Sequence, residues 1–262
     1  MEISVYIIAY NEADKIQDCI NSVLWADEII IIDSNSTDDT SKIAEGMGAK
    51  VVNVPFNGFG ELRNKAISFC TKDWILSIDS DERCTKQVRD EILALVENTS
   101  LDIFRIPRKN FFMGKWIKFS GWYPNYRQPQ LFRTGKMSYD NKKVHEGYIS
   151  HSNYKIGIIK NSIWQFPFKN TEEIIQKANN YSTLGATNLN LKGVSGSVMK
   201  AFFHGLWSFF KHYFLKLGFL DGGAGFVIAF GNFEGTFYRY IKLAELQSDW
   251  RAMKVNPIRK VK

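Results

Sequence analysis

The sequence predicts an α/β domain on a mixed, largely parallel sheet, followed by a helical C-terminal region. Three observations carry that expectation. Short apolar runs at 3–9, 28–32, 49–54 and 74–78 alternate with stretches whose apolar residues recur at helical spacing. Such alternation belongs to parallel strands joined by helical crossovers. The first, second and fourth of those runs end in polar residues, namely Tyr10-Asn11-Glu12, Asp33-Ser34 and Asp79-Ser80-Asp81. After about residue 165 long ring-rich segments replace the strand-like runs. The expected division is therefore 1–165 and 166–262.

Taken in order, residues 3–9 suit a strand covered on both faces. Asn11-Glu12 opens a helix in which Ile16, Cys19, Ile20 and Val23 share a face, and Asn11 is its candidate cap. The run 28–32 is a second strand that ends in the polar turn 33–40, where Asp38 or a neighbour suits the cap of a helix over 40–46. A third strand over 49–54, a helix over 60–69 and a fourth strand over 74–78 follow. Residues 102–107 read as another strand. Thr171-Glu172-Glu173 then opens a helix towards Leu191, with Asn170 or Thr171 as cap and two acids in its first turn. The stretch 193–196 is a loop, and 199–217 is helical by length. Residues 218–233 hold five glycines and few polar residues, which fits a segment entering a membrane edge or a tight helical hairpin. The segment 234–242 continues from it, and 254–262 is a basic tail.

The three cysteines, Cys19, Cys70 and Cys84, form no Cys-x-x-Cys pair and are odd in number. That argues for a reducing compartment and against a disulfide framework or a structural zinc site. The first residues run straight into a strand pattern with no basic region, so no signal peptide is expected. Residues 1–100 carry 9 Lys and Arg against 18 Asp and Glu, and residues 101–262 carry 25 against 9. A net +16 beside a net −9 points to an anionic partner for the second part: lipid head groups, nucleic acid or a phosphorylated substrate. No Gly-x-Gly-x-x-Gly follows the first strand and no Walker lysine is present, which disfavours dinucleotide and P-loop chemistry.

The Asp79-Ser80-Asp81 triplet is the organising motif. In an extended chain alternate side chains share a direction, so both carboxylates can face one point. Two hard oxygen ligands at a strand end suit Mg²⁺ or Mn²⁺ carrying a diphosphate. Ligands of such sheets bind outside the carboxyl ends of the strands, where these acids fall. Farther on, Arg108-Lys109-Asn110-Phe111-Phe112, Trp116, Trp122-Tyr123, Arg127 and Leu131-Phe132-Arg133 interleave rings with cations. Such a surface can stack bases or pack a sugar face, and with no nucleic-acid module signature the sugar is favoured over a nucleic-acid partner.

Four segments in fixed order, Ala9-Tyr10-Asn11-Glu12, Asp33-Ser34-x-Ser36-Thr37-Asp38, Arg63-Asn64-x-Ala66 and Asp79-Ser80-Asp81, resemble the family-2 inverting glycosyltransferases with the GT-A fold. Trp25-Ala26-Asp27-Glu28-Ile29, Val144-His145-Glu146 and Gly218-Phe219-Leu220-Asp221-Gly222 fit the bacterial subgroup of lipopolysaccharide-core glucosyltransferases. The resemblance implies a UDP-sugar donor, a lipid-linked glycan acceptor and a divalent metal. It implies that Ala9, Tyr10 and Glu12 line the nucleoside pocket and that Asp33 accepts from base or ribose. Asp79 would lie near ribose or metal, with Asp81 as the principal metal ligand and Glu146 as the catalytic base. His145 is the alternative base, or a partner that orients Glu146. Many family members place the base in a Glu-Asp pair, which this region lacks. Arg63 lies either on a solvated helix face or near the diphosphate.

The C-terminal helix bears Phe202, Phe203, Trp207, Phe209, Phe210, Tyr213 and Phe214 beside a polar stripe of Lys200, His204, Ser208, Lys211 and Lys216. Charges interrupt it too often for a spanning helix, which needs about 20 predominantly apolar residues. A helix lying in the membrane interface, a buried pair and a dimer surface are the alternatives, with the interface preferred. The expected location is therefore cytoplasmic, peripheral on the inner face of the cytoplasmic membrane. Two other classes remain open from sequence: a non-catalytic basic binding protein and a nucleotidyltransferase. A polyprenyl-phosphate sugar transferase of the same fold is a third possibility.

Overall fold

The computed structural model describes residues 1–124, 128–140, 147–153 and 155–248. The chain divides into two compact units, one of Met1–Trp116 with Trp122–Pro167, the other of Ile117–Gly121 with the chain from Phe168.

The first unit opens with β1 (Ile3–Ala9), α1 (Ala13–Asn21), β2 (Glu28–Asp33), α2 (Thr40–Gly46), β3 (Lys50–Asn53), α3 (Phe59–Phe69) and β4 (Trp74–Asp79). It continues through β5 (Glu82–Arg83), α4 (Lys86–Asn98), β6 (Ile103–Arg105), β7 (Arg108–Phe112) and β8 (Lys115–Trp116). Five short strands complete it: β9 (Leu131–Arg133), β10 (Met137–Tyr139), β11 (Tyr148–Ser150), β12 (Gly157–Ile158) and β13 (Ile163–Gln165). The main sheet has seven strands in the order β12-β6-β9-β4-β1-β2-β3. β1 is parallel to β2 and β4, β2 to β3 and β12 to β6, whereas β9 runs against both β4 and β6. The mixed, largely parallel sheet expected from sequence is present.

Both faces of this sheet are covered, which is why its strands read as unbroken apolar runs. Val5, Ile7, Trp74, Leu76 and Ile78 pack on one side with α1 and α4. Tyr6, Ile30, Ile32 and Ile75 pack on the other with Leu62 and Ala66 of α3. Each such side chain contributes about 1.5–3 kcal/mol by leaving water. A second sheet has the order β5-β13-β7-β8, with β13 antiparallel to β5 and parallel to β7.

The structure adds α4, for which the sequence reading has no helix. Its signals are ordinary: the Thr85 hydroxyl caps Val88 N at 3.3 Å, and Val88, Ile92 and Val96 bury one face at four-residue spacing. Asn11 is not the cap of α1. It takes a left-handed φ of 54°, and Glu12 occupies the cap position without a capping hydrogen bond from its own side chain.

The second unit holds α5 (Thr171–Leu191), α6 (Val198–Phe210), a π-helical turn at Lys211–Leu215, a 3-10 turn at Gly218–Asp221 and α7 (Gly223–Gln247). Asn170 caps α5 through Glu173 N at 2.9 Å, and Ser197 caps α6 through Lys200 N at 3.2 Å. Two expectations change here. The helix over 199–217 leaves α geometry at Lys211, and 218–233 is neither a hairpin nor an entering loop but a reversal feeding one long helix. Leu217 and Gly222, with φ of 56° and 63°, make that reversal. The buried Asp221 carboxylate fixes it by accepting the amides of Lys118 and Phe119 at 3.1 and 3.0 Å. Among the described residues no helix is long and apolar enough to cross a membrane.

Candidate active site

The order of the main sheet reverses beside β1, since β2 and β3 lie on one flank and β4 on the other. A crevice opens at such a point, outside the strand ends. Strand register brings the three polar ends together: Ala9 lies across from Asp33, and Ile8 across from Asp79. Ala9 is buried, and the Tyr10 ring is 59% exposed.

The loops after β1 and β2 are sewn to each other. Asn11 Oδ1 accepts Thr37 N at 2.8 Å, and Asn11 N donates to Ser36 Oγ at 2.9 Å. Glu12 N donates to Thr40 Oγ1 at 2.8 Å, and the Glu12 carboxylate lies 3.4 Å from Lys15 Nζ. Asp33 is buried and its carboxylate accepts both the amide (2.8 Å) and the hydroxyl of Ser36. Asp38 accepts the first amide of α1, Ala13 N, at 3.1 Å and that of α2, Thr40 N, at 3.0 Å. Burial pushes the Asp38 carboxyl up, but these amides and the Thr40 hydroxyl outweigh it and hold it below the usual range. Asp38 thus serves the helix ends, as its position in the sequence implies.

Asp79 ends β4, and its Oδ1 accepts Arg63 Nη2 at 2.8 Å. Arg63 also donates to Ser77 Oγ at 3.0 Å and lies over the Tyr139 ring at 5.5 Å. The guanidinium is largely withdrawn from water, so the solvated-face alternative for Arg63 does not hold. Burial opposes its charge, and Asp79 together with Tyr6 and Tyr139 more than offsets that. Arg63, Ser77, Asp79, Arg108, Gln130 and Tyr139 line a cavity of about 100 Å³.

Behind this pocket lies a network that sequence reasoning missed. Glu82 is fully buried and ion-paired with Arg108 Nε. Its Oε2 accepts Asp79 N and Gln130 Nε2, each at 3.0 Å. Burial pushes the Glu82 carboxyl up, against the pull of Arg108. Among the described residues, Arg108 Nη1 and Gln130 Oε1 are buried without a hydrogen-bond partner. Arg108 stands in a run read as a basic surface, and nothing local in the sequence marks it as the partner of an acid 26 positions earlier.

Asp81 follows in the turn between β4 and β5. Its two carboxylate oxygens accept Gln165 Nε2 at 3.3 and 3.2 Å, and its carbonyl accepts Phe166 N at 2.8 Å. Glu146, His145 and Arg127 lie outside the described residues. As a donor set, Asp79 and Asp81 fit a hard cation of the Mg²⁺ type, which uses one or two carboxylates plus substrate phosphates and water. No group of three or more His, Cys, Asp and Glu forms an all-protein cage among the described residues.

Comparison with known proteins gives this geometry its context. Residues 4–160 match the family described as Glycosyl transferase family 2. An uncharacterized glycosyltransferase of Rickettsia felis is 31% identical, over 94% of this chain and 89% of its own. The lipopolysaccharide core biosynthesis glycosyltransferase LpsC of Rhizobium meliloti is 29% identical, over 98% of this chain and 96% of its own. Among solved structures, TarS of S. aureus is similar with a TM-score of 0.48 and 18% identity, over 72% of this chain and 40% of that one. Glucosyl-3-phosphoglycerate synthase of Mycobacterium tuberculosis, solved with Mn²⁺ and UDP, gives a TM-score of 0.35 and 30% identity over 43% of this chain and 44% of that one. The chain belongs to glycosyl transferase family 2, and it is an enzyme that transfers a sugar from a nucleotide-activated donor.

Proposed function

We propose that this enzyme transfers a hexose, glucose first among the candidates, with inversion from a UDP-sugar to a hydroxyl of a lipid-linked glycan such as lipopolysaccharide core. The observation that carries this reading is the strand register that brings Asp79 to the ends of β1 and β2, with Asp81 two residues on in the turn that follows β4. The similarity to LpsC over nearly the whole of both chains supports the acceptor class. A polyprenyl phosphate is the alternative acceptor for the same fold.

In this reading the exposed Tyr10 ring stacks on the base, while Ala9, Glu12 and Asp33 line the nucleoside end. Asp81 and Asp79 would hold Mg²⁺ or Mn²⁺, which supplies positive charge to the departing diphosphate. Arg63 fixes the Asp79 carboxylate, and Glu82 fixes the backbone beneath it. Glu146 takes the proton from the attacking hydroxyl, with His145 as its orienting partner or substitute. The anomeric C–O bond to the diphosphate breaks with its electron pair leaving on the phosphate, as the acceptor oxygen forms the new bond on the opposite face. One displacement needs no covalent sugar–enzyme intermediate.

Titration calorimetry of the full chain with UDP, UDP-glucose and GDP-mannose, with and without Mn²⁺, tests the donor. Metal-dependent UDP binding is expected, and preferential binding of GDP-mannose would overturn the UDP assignment. Asp81→Ala is expected to lose at least about 100-fold in metal-dependent UDP affinity, by analogy with the loss on disturbing metal-site partners. Glu146→Gln is expected to keep UDP affinity and lose about 10²–10⁴-fold in transfer rate. Wild-type turnover in Glu146→Gln would move the base elsewhere.

A further inference from the structure

We propose that Gln165 is the third protein donor of the cation site, presenting its carboxamide oxygen beside the carboxylates of Asp79 and Asp81. The inference rests on the metal reading of those two acids. No local motif marks Gln165, which lies 84 positions from Asp81.

The argument begins with the position of one nitrogen. Gln165 Nε2 lies at 3.3 Å from Asp81 Oδ1 and 3.2 Å from Oδ2. A group nearly equidistant from both oxygens stands in front of the carboxylate, where a cation held by both oxygens also sits. The two ends of a carboxamide have almost the same shape, so a half-turn about the last side-chain bond exchanges the donating nitrogen for the accepting oxygen. That oxygen is a hard, neutral ligand of the kind that Mg²⁺ and Mn²⁺ take.

The backbone holds this arrangement from two sides. Gln165 lies across from Glu82 in the antiparallel β5–β13 pair, and Phe166 N donates to the Asp81 carbonyl at 2.8 Å. On its other edge β13 pairs with β7 in register, Gln165 across from Asn110. The buried Glu82–Arg108 pair joins β5 to β7, the two strands flanking β13. A side chain on so constrained a strand reaches the same place in each molecule, which is what a ligating position requires. Its neutrality also matters. Two carboxylates and a carboxamide carry −2, and Arg63 on Asp79 reduces this to −1, so a bound divalent cation leaves a net positive charge to pull on the diphosphate.

Mn²⁺ binding to the full chain, read from the loss of the free-ion electron spin resonance signal with UDP present, tests the proposal without recourse to activity. Wild type is expected to bind Mn²⁺ and Asp81→Ala to lose it. Gln165→Ala is expected to weaken Mn²⁺ about 10-fold or more, in the range found when metal-site partners are removed. Gln165→Glu, which retains an oxygen donor, is expected to restore or exceed wild-type affinity. The strand pairing of β13 uses backbone groups, so all variants should keep the wild-type circular dichroism spectrum and melting temperature within a few degrees. If wild type binds and Asp81→Ala does not, but Gln165→Ala matches wild type, the third-donor role is overturned while the metal reading stands. If wild type takes up no Mn²⁺ with UDP, the metal reading itself fails, and this inference with it.

Discussion

Arg108 and Glu82 show what a single buried pair can do for a site it does not line alone. Glu82 receives three donors, from Arg108, Gln130 and the amide of Asp79, and so leaves the β4–β5 turn little freedom. Removing one partner of such a pair strands the other charge in the interior, which typically costs about 3–5 kcal/mol. Arg108→Ala is therefore expected to lower unfolding free energy by that amount in urea titrations. A loss below about 1 kcal/mol would mean the pair is not the strut described. At this scale the candidate site was half legible. Asp79 and Asp81 announce themselves, because an acid-x-acid after an apolar run has a direct geometric meaning. Arg108, Gln130 and Gln165 do not, since each acquires its partner only through strand pairing across 26 to 84 residues. Asp38 was read correctly as a residue that serves the next helix, whereas Asp33 closes β2; their partners are Ser36 in the loop and Ala13 and Thr40 at the starts of α1 and α2.

At the scale of elements, the strands of the main sheet were readable because a two-faced sheet demands unbroken apolar runs. Helix α4 was equally written in the sequence, in the Thr85 cap and the ordinary amphipathic 88/92/96 spacing. The reversal into α7 was different in kind. Five glycines permit many paths, and the chosen one depends on a close approach: a Cβ on Gly225 would come 1.8 Å from the Gly218 carbonyl oxygen. Gly225→Ala is thus expected to lower stability by at least about 1–3 kcal/mol, since backbone must move to admit it. Gly235 lies in the same helix with nothing within 4 Å of such a Cβ, so Gly235→Ala should instead stabilise by about 0.5–1 kcal/mol. Thermal melts of the two variants should shift in opposite directions. Equal shifts would contradict the packing described.

For the whole molecule, charge and exposed rings together bear on where the enzyme works. Phe202, Phe203, Leu206, Trp207, Phe210 and Phe214 remain exposed along α6 and the turn after it. Their three- and four-residue spacing draws them into one stripe, and Lys200 and Lys211 are exposed beside it. Large exposed apolar patches mark interaction surfaces, and the +16 of residues 101–262 complements anionic head groups. A lipid bilayer is therefore the partner proposed for this face. The full chain is expected to sediment with vesicles containing anionic lipid, less so as salt rises, and Phe203→Glu with Trp207→Glu to reduce that binding at least tenfold. Association only into dimers, with no vesicle binding, would assign the stripe to a protein interface. Family membership sets aside the non-catalytic and nucleotidyltransferase alternatives. What the sequence by itself determined was the α/β class, the family and the paired acids, because each rests on local periodicity or on residues a few positions apart. Only the tertiary structure decided which partners hold those acids in place and how the glycine-rich segment turns. Those outcomes depend on register and on close approach between distant segments, and neither quantity is encoded in any short stretch of chain.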